Sequence, residues 1–170
     1  MPEIRLALVG VDEGTAEHAW LTREAAAAGA GNVLLLPRVG VADVATYLYA
    51  ADCLIVPPTD APLRRYGRTV LPIKLFPYMA AGRPILAPAL PDVSEVLADG
   101  VNAVLVKPDD LASAADALRA LLADHARAER LALAARAASR QFTWAARAAR
   151  ISDWLTDTVV TRRVAIGPCA

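Results

Sequence analysis

Apolar runs and helix-period segments alternate over the first two-thirds of the chain. Ile4 to Gly10 is a short apolar run ending on glycine, which reads as a strand entering a turn. Thr15 to Gly29 reads as a helix, with Gly29 placed to stop it. Val33 to Leu36 is a second strand, closed by Pro37. Val41, Val44, Leu48 and Ala51 recur at helical spacing and predict a short amphipathic helix over 41–51. Leu54 to Val56 is a third strand, stopped by Pro57 and Pro58. Thr59 to Thr69 is polar, holds Arg64, Arg65 and Arg68, and reads as a loop. Then come a helix near Ile73 to Ala81, a strand at Pro84 to Ala87, a helix at Asp92 to Ala98 and a strand at Ala103 to Val106.

Beyond Val106 the pattern becomes helical throughout. Leu111 to Ala123 and Arg127 to Arg140 are rich in alanine and arginine, and Thr143 to about Val160 continues in the same way. Strands that alternate with helices predict an α/β fold: a Rossmann-like, doubly wound parallel sheet, here with closing C-terminal helices. No internal repeat and no dividing linker is visible, and 170 residues fit one domain.

Composition narrows the function classes. Lys+Arg 18 balances Asp+Glu 18, and acidic residues are interleaved among the late arginines, so no nucleic-acid partner is expected. Two cysteines, Cys53 and Cys169, make neither a disulfide framework nor a zinc site. Cys53 lies in an apolar run and reads as a core residue. Glu3 and Arg5 interrupt the apolar start, and no apolar stretch reaches about 18 residues, so neither a signal peptide nor a transmembrane segment is expected. The reading is a cytoplasmic protein without metal or cofactor.

Familiar catalytic signatures are absent. There is no G-x-S-x-G, no phosphate-binding G-x-x-x-x-G-K-[ST] and no H-E-x-x-H. His18 and His125 neighbour no nucleophile in sequence. The turn from Gly10 to Gly14 follows a strand and precedes a helix, but it lacks the G-x-G-x-x-G spacing. It still lies at the carboxyl end of a strand, where open parallel sheets bind ligands. The richest stretch is Pro72 to Asn102, PIKLFPYMAAGRPILAPALPDVSEVLADGVN, with Lys74 in the first turn of an expected helix. Free amides there, joined by an ammonium group, suit an anion. Arg64, Arg65 and Arg68 could add to such a site, Arg68 most of all because it is nearest Lys74.

This stretch resembles the donor-binding signature of GT-B glycosyltransferases of family 4, also called group 1. Pro72, Lys74, Phe76, Tyr78, Met79, Ala80, Gly82, Arg83 and Pro84 fit its first part. Leu90, Pro91, Glu95, Val96, Asp99, Gly100 and Asn102 fit its second. LALVG, the run from Leu34 to Pro58 and the Phe142–Thr143–Trp144 start of the last helix extend the resemblance over roughly 4–157. It implies that residues 1–160 are the C-terminal, nucleotide-sugar-binding half of a retaining glycosyltransferase, with 161–170 as a tail. The implied ligand is a UDP- or GDP-linked sugar; the acceptor is not implied. By position, Arg38 and Val39 lie beside the base. Gly10 and its turn through Asp12, with Ile73, Lys74 and Leu75, face the diphosphate. Most catalytic side chains belong to an N-terminal domain, so the chain alone is expected to be inactive.

Two departures from the family pattern carry consequences. The family's paired acids fall at Thr69 and Pro77, neither of them acidic. The second acid would accept hydrogen bonds from the ribose, and losing one charged hydrogen bond costs about 1.5–3 kcal/mol. If the helix begins near Pro72, Pro77 leaves the carbonyl of Ile73 unbonded; if it begins at Pro77, proline suits the first position. The second departure is a missing first strand, which is central in a sheet of this kind. The strands at 4–9 and 54–56 would then stand apart or pair directly, unless the β-rich tail Val159 to Ile166 replaces it. Two alternatives stand beside the leading reading. One is a donor-binding subunit completed by an N-terminal-domain partner chain. The other is a degenerate module serving as an interaction or scaffold domain.

Overall fold

The computed structural model describes residues 4–67 and 71–165. The chain divides into two compact units, Met1–Tyr47 and Leu48–Ala170. Unit 1 holds β1 (Leu6–Val9), α1 (Ala16–Ala27), β2 (Val33–Leu36) and the start of α2 (Val41–Ala50). β1 and β2 run parallel, with Leu6 opposite Val33 and Val9 opposite Leu36. Thr15 caps α1: its Oγ1 accepts the His18 amide at 3.2 Å and so satisfies one of the free first-turn donors. At the other end Gly29 takes φ +64°. Its amide donates to Ala26 and the Ala30 amide to Ala25, the crossed pair that closes a helix on a left-handed glycine. Among the described residues of this unit only Val11 is buried.

Unit 2 holds β3 (Leu54–Ile55), β4 (Ile85–Pro88) and β5 (Val104–Val106) as a parallel sheet with β4 in the middle. Its helices are α3 (Ala61–Tyr66), α4 (Leu75–Ala81), α5 (Leu111–Ala123), α6 (His125–Ser139) and α7 (Trp144–Ala165). β4 is buried along its whole length, because its side chains alternate between two apolar clusters. Ile85 and Ala87 join Leu75 and Met79 of α4 with Val93, Leu97 and Ala135. Leu86 joins Val104 and Val106 of β5 with Leu121 of α5 and Leu131 of α6. The result is the expected α/β class, parallel strands flanked by helices.

Three local expectations change. The stretch 59–69, read as a loop, contains α3, which ends on Gly67 at φ +69°. Six residues are too few to display a helical period, so the sequence pattern missed it. The helix expected over 92–98 is only a 3-10 turn at Val93–Glu95. The Asn102 side chain takes hold of the following backbone: its Oδ1 accepts the Ala98 amide at 2.7 Å, and its Nδ2 donates to the Val96 carbonyl at 3.2 Å. Asp99 Oδ1 accepts the Leu105 amide at 2.9 Å and fixes the entry to β5. The tail alternative also fails, because the backbone from Val159 to Ala165 belongs to α7 and not to a strand. The strand pairs among the described residues fall into two separate parallel sheets, β1–β2 and β3–β4–β5.

Candidate functional site

In unit 1 the candidate residues gather at the carboxyl ends of β1 and β2. Gly10 takes φ +109°, a conformation that side-chain-bearing residues rarely adopt. The amides of Gly10 and Val11 both donate to the Leu36 carbonyl at 2.9 Å, which ties the turn after β1 to the end of β2. Asp12 adds a second tie. Its Oδ1 accepts the Arg38 amide at 2.8 Å, and its Oδ2 lies 3.2 Å from Arg38 Nε. Its own carbonyl accepts the Thr15 hydroxyl at 2.7 Å. Gly10, Asp12 and Arg38 are therefore one connected group, and Val39 follows half-buried. A separate cavity of about 580 Å³ in this unit, lined by His18, Thr22, Val33 and Leu35, includes none of them.

In unit 2 the candidates lie where α4 begins. The entry is a tight turn: Leu75 donates to the Pro72 carbonyl at 2.9 Å and Phe76 to that of Ile73 at 3.3 Å. Pro77 is the third helical residue, where no intrahelical amide bond is owed. The carbonyl of Ile73 is satisfied by Phe76, so neither of the two consequences foreseen for this proline arises. Among the described residues no hydrogen bond engages the amides of Ile73 and Lys74. Ile73 is 82% exposed, and Lys74 and Pro77 are exposed too. Leu75 is fully buried, so it offers a ligand only backbone. Arg68 and Thr69 lie outside the described residues.

The remaining polar groups of unit 2 hold structure together. Arg64 Nη1 contacts Asp60 Oδ1 and lies 2.5 Å from Asp109 Oδ2, which joins α3 to the loop after β5. Hydrogen bonds from Thr59 and then Arg64 hold the Asp109 carboxyl down to about 2. Loss of water around Asp60, with Asp109 beside it, pushes the Asp60 carboxyl up. Sequence reasoning missed this cluster, and a partner 45 residues away leaves no local signal. Arg65 stacks over Tyr66 at 5.4 Å from the ring centroid. Cys53 is half-buried against the second apolar cluster, and burial pushes its thiol up to about 12. Among the described residues no cluster of His, Cys, Asp or Glu suits a metal ion, and no helix is long and apolar enough to cross a membrane.

The model of the family "Glycosyl transferases group 1" matches residues 1–124. The chain belongs to the group 1 glycosyl transferases. It is 34% identical over 123 residues to a D-inositol 3-phosphate glycosyltransferase of Geodermatophilus obscurus, a match covering 71% of this chain but 26% of that protein. Among solved structures it is similar to HepE of Anabaena in complex with UDP, at TM-score 0.78 and 21% identity over 92% of this chain and 42% of that one. A sucrose-phosphate synthase of Thermosynechococcus elongatus gives TM-score 0.75 and 23% identity, over 92% of this chain and 39% of that one. The C-terminal domain of a group 1 glycosyl transferase, LpcC of Francisella tularensis, gives TM-score 0.65 and 15% identity, over 82% and 70%. The chain thus looks like a C-terminal half of a GT-B fold, and it spans well under half the length of the first two of these solved chains.

Seen as a group 1 glycosyl transferase, the chain divides its signature stretch into scaffold and surface. Leu75 and Met79 are core. Phe76 packs on Phe142, which lies in the 3-10 turn just before α7, ring centroids 5.3 Å apart. Gly82 turns the chain at φ +64° where a Cβ would stand 3.1 Å from Arg136 Cδ. Arg83 donates to the Tyr49 carbonyl in the last turn of α2, where a cation is favoured. Asn102 and Asp99 are backbone clamps. What remains exposed at the start of α4 is Ile73, Lys74 and Pro77.

Proposed function

We propose that this chain is the nucleotide-sugar-binding half of a retaining hexosyltransferase that takes a UDP- or GDP-linked sugar. Its donor ligands are Gly10, Asp12, Arg38 and Val39 on unit 1, with Arg68, Thr69, Ile73, Lys74, Leu75 and Pro77 on unit 2. The acceptor and most catalytic groups belong to a second domain, so this chain alone binds donor without transferring it. One observation carries the reading. At the start of α4, Ile73 and Lys74 stand exposed, and among the described residues no hydrogen bond engages their amides. Amides and an ammonium group suit a diphosphate, and charge-assisted hydrogen bonds of this kind are the strong ones. In transfer, negative charge grows on the leaving diphosphate, and donors fixed in advance stabilise it. The UDP-bound HepE neighbour supports a uridine donor.

The test is a calorimetric titration of the whole chain with UDP, GDP and ADP. One of them should bind, and Lys74→Ala should weaken it about tenfold or more, the size of a lost charged hydrogen bond. Equal binding by the variant would remove Lys74 from the site. Thr69 and Pro77, in place of two acids, favour a second reading, a degenerate module that binds partners and no nucleotide. That reading expects no heat with any of the three.

A further inference from the structure

The helix α3 lies in unit 2, between β3 and α4 in the chain, and polar groups hold it in place. It has six residues, and none of its described side chains is buried. A helix this short is not stable by itself in water. Arg64 supplies the anchor. One nitrogen, Nη1, contacts Asp60 at the start of α3 and lies 2.5 Å from Asp109 Oδ2 in the loop after β5. The Thr59 hydroxyl joins the same group: it accepts the Ala61 amide at 3.1 Å and hydrogen-bonds to Asp109. The Asp109 amide donates to the Pro58 carbonyl at 2.8 Å. The loops after β3 and β5, the outer strands of this sheet, are tied together in this way at its carboxyl end. Asp109 takes φ +59°, the only positive φ outside glycine among the described residues, a conformation that persists where the surroundings enforce it. Two carboxylates therefore face one guanidinium nitrogen, and the cluster carries one negative charge too many. Carboxylates that share a site do not both ionise freely, and one of them keeps its proton longer. Asp60 is that one: loss of water, and then Asp109 beside it, push its carboxyl up. Asp109 stays charged, held down by Thr59 and then Arg64. The other charged groups of these segments are engaged or point to water: Arg65 stacks over Tyr66, Asp110 accepts the Ser113 amide at 3.0 Å, and Lys107 is exposed. We propose that Asp60, Arg64 and Asp109 form a pH-sensitive latch on α3, closed while Asp60 keeps its proton and loosened when both carboxylates are charged. A carboxyl raised in the folded state stabilises that state below the ordinary carboxylate range, and the contribution is lost as pH rises through the folded value. The helix is held more firmly in mild acid than at neutral pH. In sequence α3 leads to Arg68 and Thr69, so the latch bears on the unit 2 side of the nucleotide site. That consequence rests on the donor-binding reading above; the latch itself does not.

The experiment is residue-resolved NMR of the whole chain from about pH 3 to 8, without nucleotide. It follows the Asp60 and Asp109 carboxyl carbons. It also follows the exchange protection of the Arg64 and Gly67 amides, which donate to the Asp60 and Leu63 carbonyls, corrected for the intrinsic pH dependence of exchange. Asp60 should titrate above the ordinary carboxylate range. Protection of α3 should fall about threefold along the same curve, the scale of an exposed ion pair, while the amides of β4 keep theirs. Asp60→Asn mimics the protonated carboxyl and should hold α3 at its acid-state protection up to neutral pH. Asp109→Asn removes the competing charge, so Asp60 should titrate lower and α3 should no longer loosen as pH rises. The unchanged signals of β4 show that each variant is folded. If Asp60 titrates in the ordinary range, if α3 keeps its protection while Asp60 loses its proton, or if Asp60→Asn loosens with pH as the wild type does, the inference is overturned. Because no nucleotide is present, none of these results touches the donor-binding reading.

Discussion

The two units differ in how they are held together. Unit 2 buries Leu75, Met79, Ile85, Leu121 and Leu131 almost completely around a strand covered on both faces. Unit 1 has β strands of the same apolar character, yet Leu6, Val9 and Leu34 are exposed and only Val11 is buried among its described residues. Runs such as LALV and VLLL read as strands covered on both sides, but two strands with α1 and the start of α2 do not supply that cover. Unit 1 is therefore held more by backbone ties than by a core. Those ties, at Gly10, Val11 and Asp12, are the residues that shape its share of the candidate site.

The largest expected contrast is in packing. Met79→Ala in unit 2 should cost about 2–5 kcal/mol, the range for truncating a buried side chain. Leu34→Ala in unit 1, at a position 44% exposed, should cost under about 1 kcal/mol. Denaturant melts of the two variants measure the difference, and equal losses would break the comparison. Next comes the clamp at Asn102. Asn102→Ala leaves the Ala98 amide and the Val96 carbonyl without their partner and should cost about 1–3 kcal/mol. The smallest effect is electrostatic. Asp109 should titrate near 2 by carboxyl NMR, and Thr59→Val or Arg64→Ala should each move it back up toward ordinary values. A depressed carboxyl stabilises the fold fully above the ordinary carboxylate range, and that contribution is lost as pH falls through 2. Asp60, shifted up, works in the opposite sense and offsets part of it.

Much of the architecture was legible. Each strand came from an apolar run bounded by glycine or proline, and Gly29 stopped α1 because a left-handed residue is needed there. The errors have a common physical source. The turn at Val93–Glu95 is shaped by an asparagine side chain downstream, and no local periodicity registers that. The short helix α3 is anchored by Arg64 on Asp109, a partner far along the chain. The site followed the same rule. Lys74 stood out because the sequence puts a cation in the first turn of an expected helix, where free amides already suit an anion. The Asp12–Arg38 contact could not be read, because it exists only once β1 and β2 pair.

The central claim is that this half-fold carries a nucleotide site. It is tested most directly by a residue-resolved amide NMR titration of the wild-type chain with UDP, GDP and ADP to millimolar concentration. The account predicts a dispersed spectrum in which one nucleotide moves signals among Gly10, Arg38 and Lys74 along a saturating curve. A dispersed spectrum in which none of the three nucleotides moves those signals would contradict it.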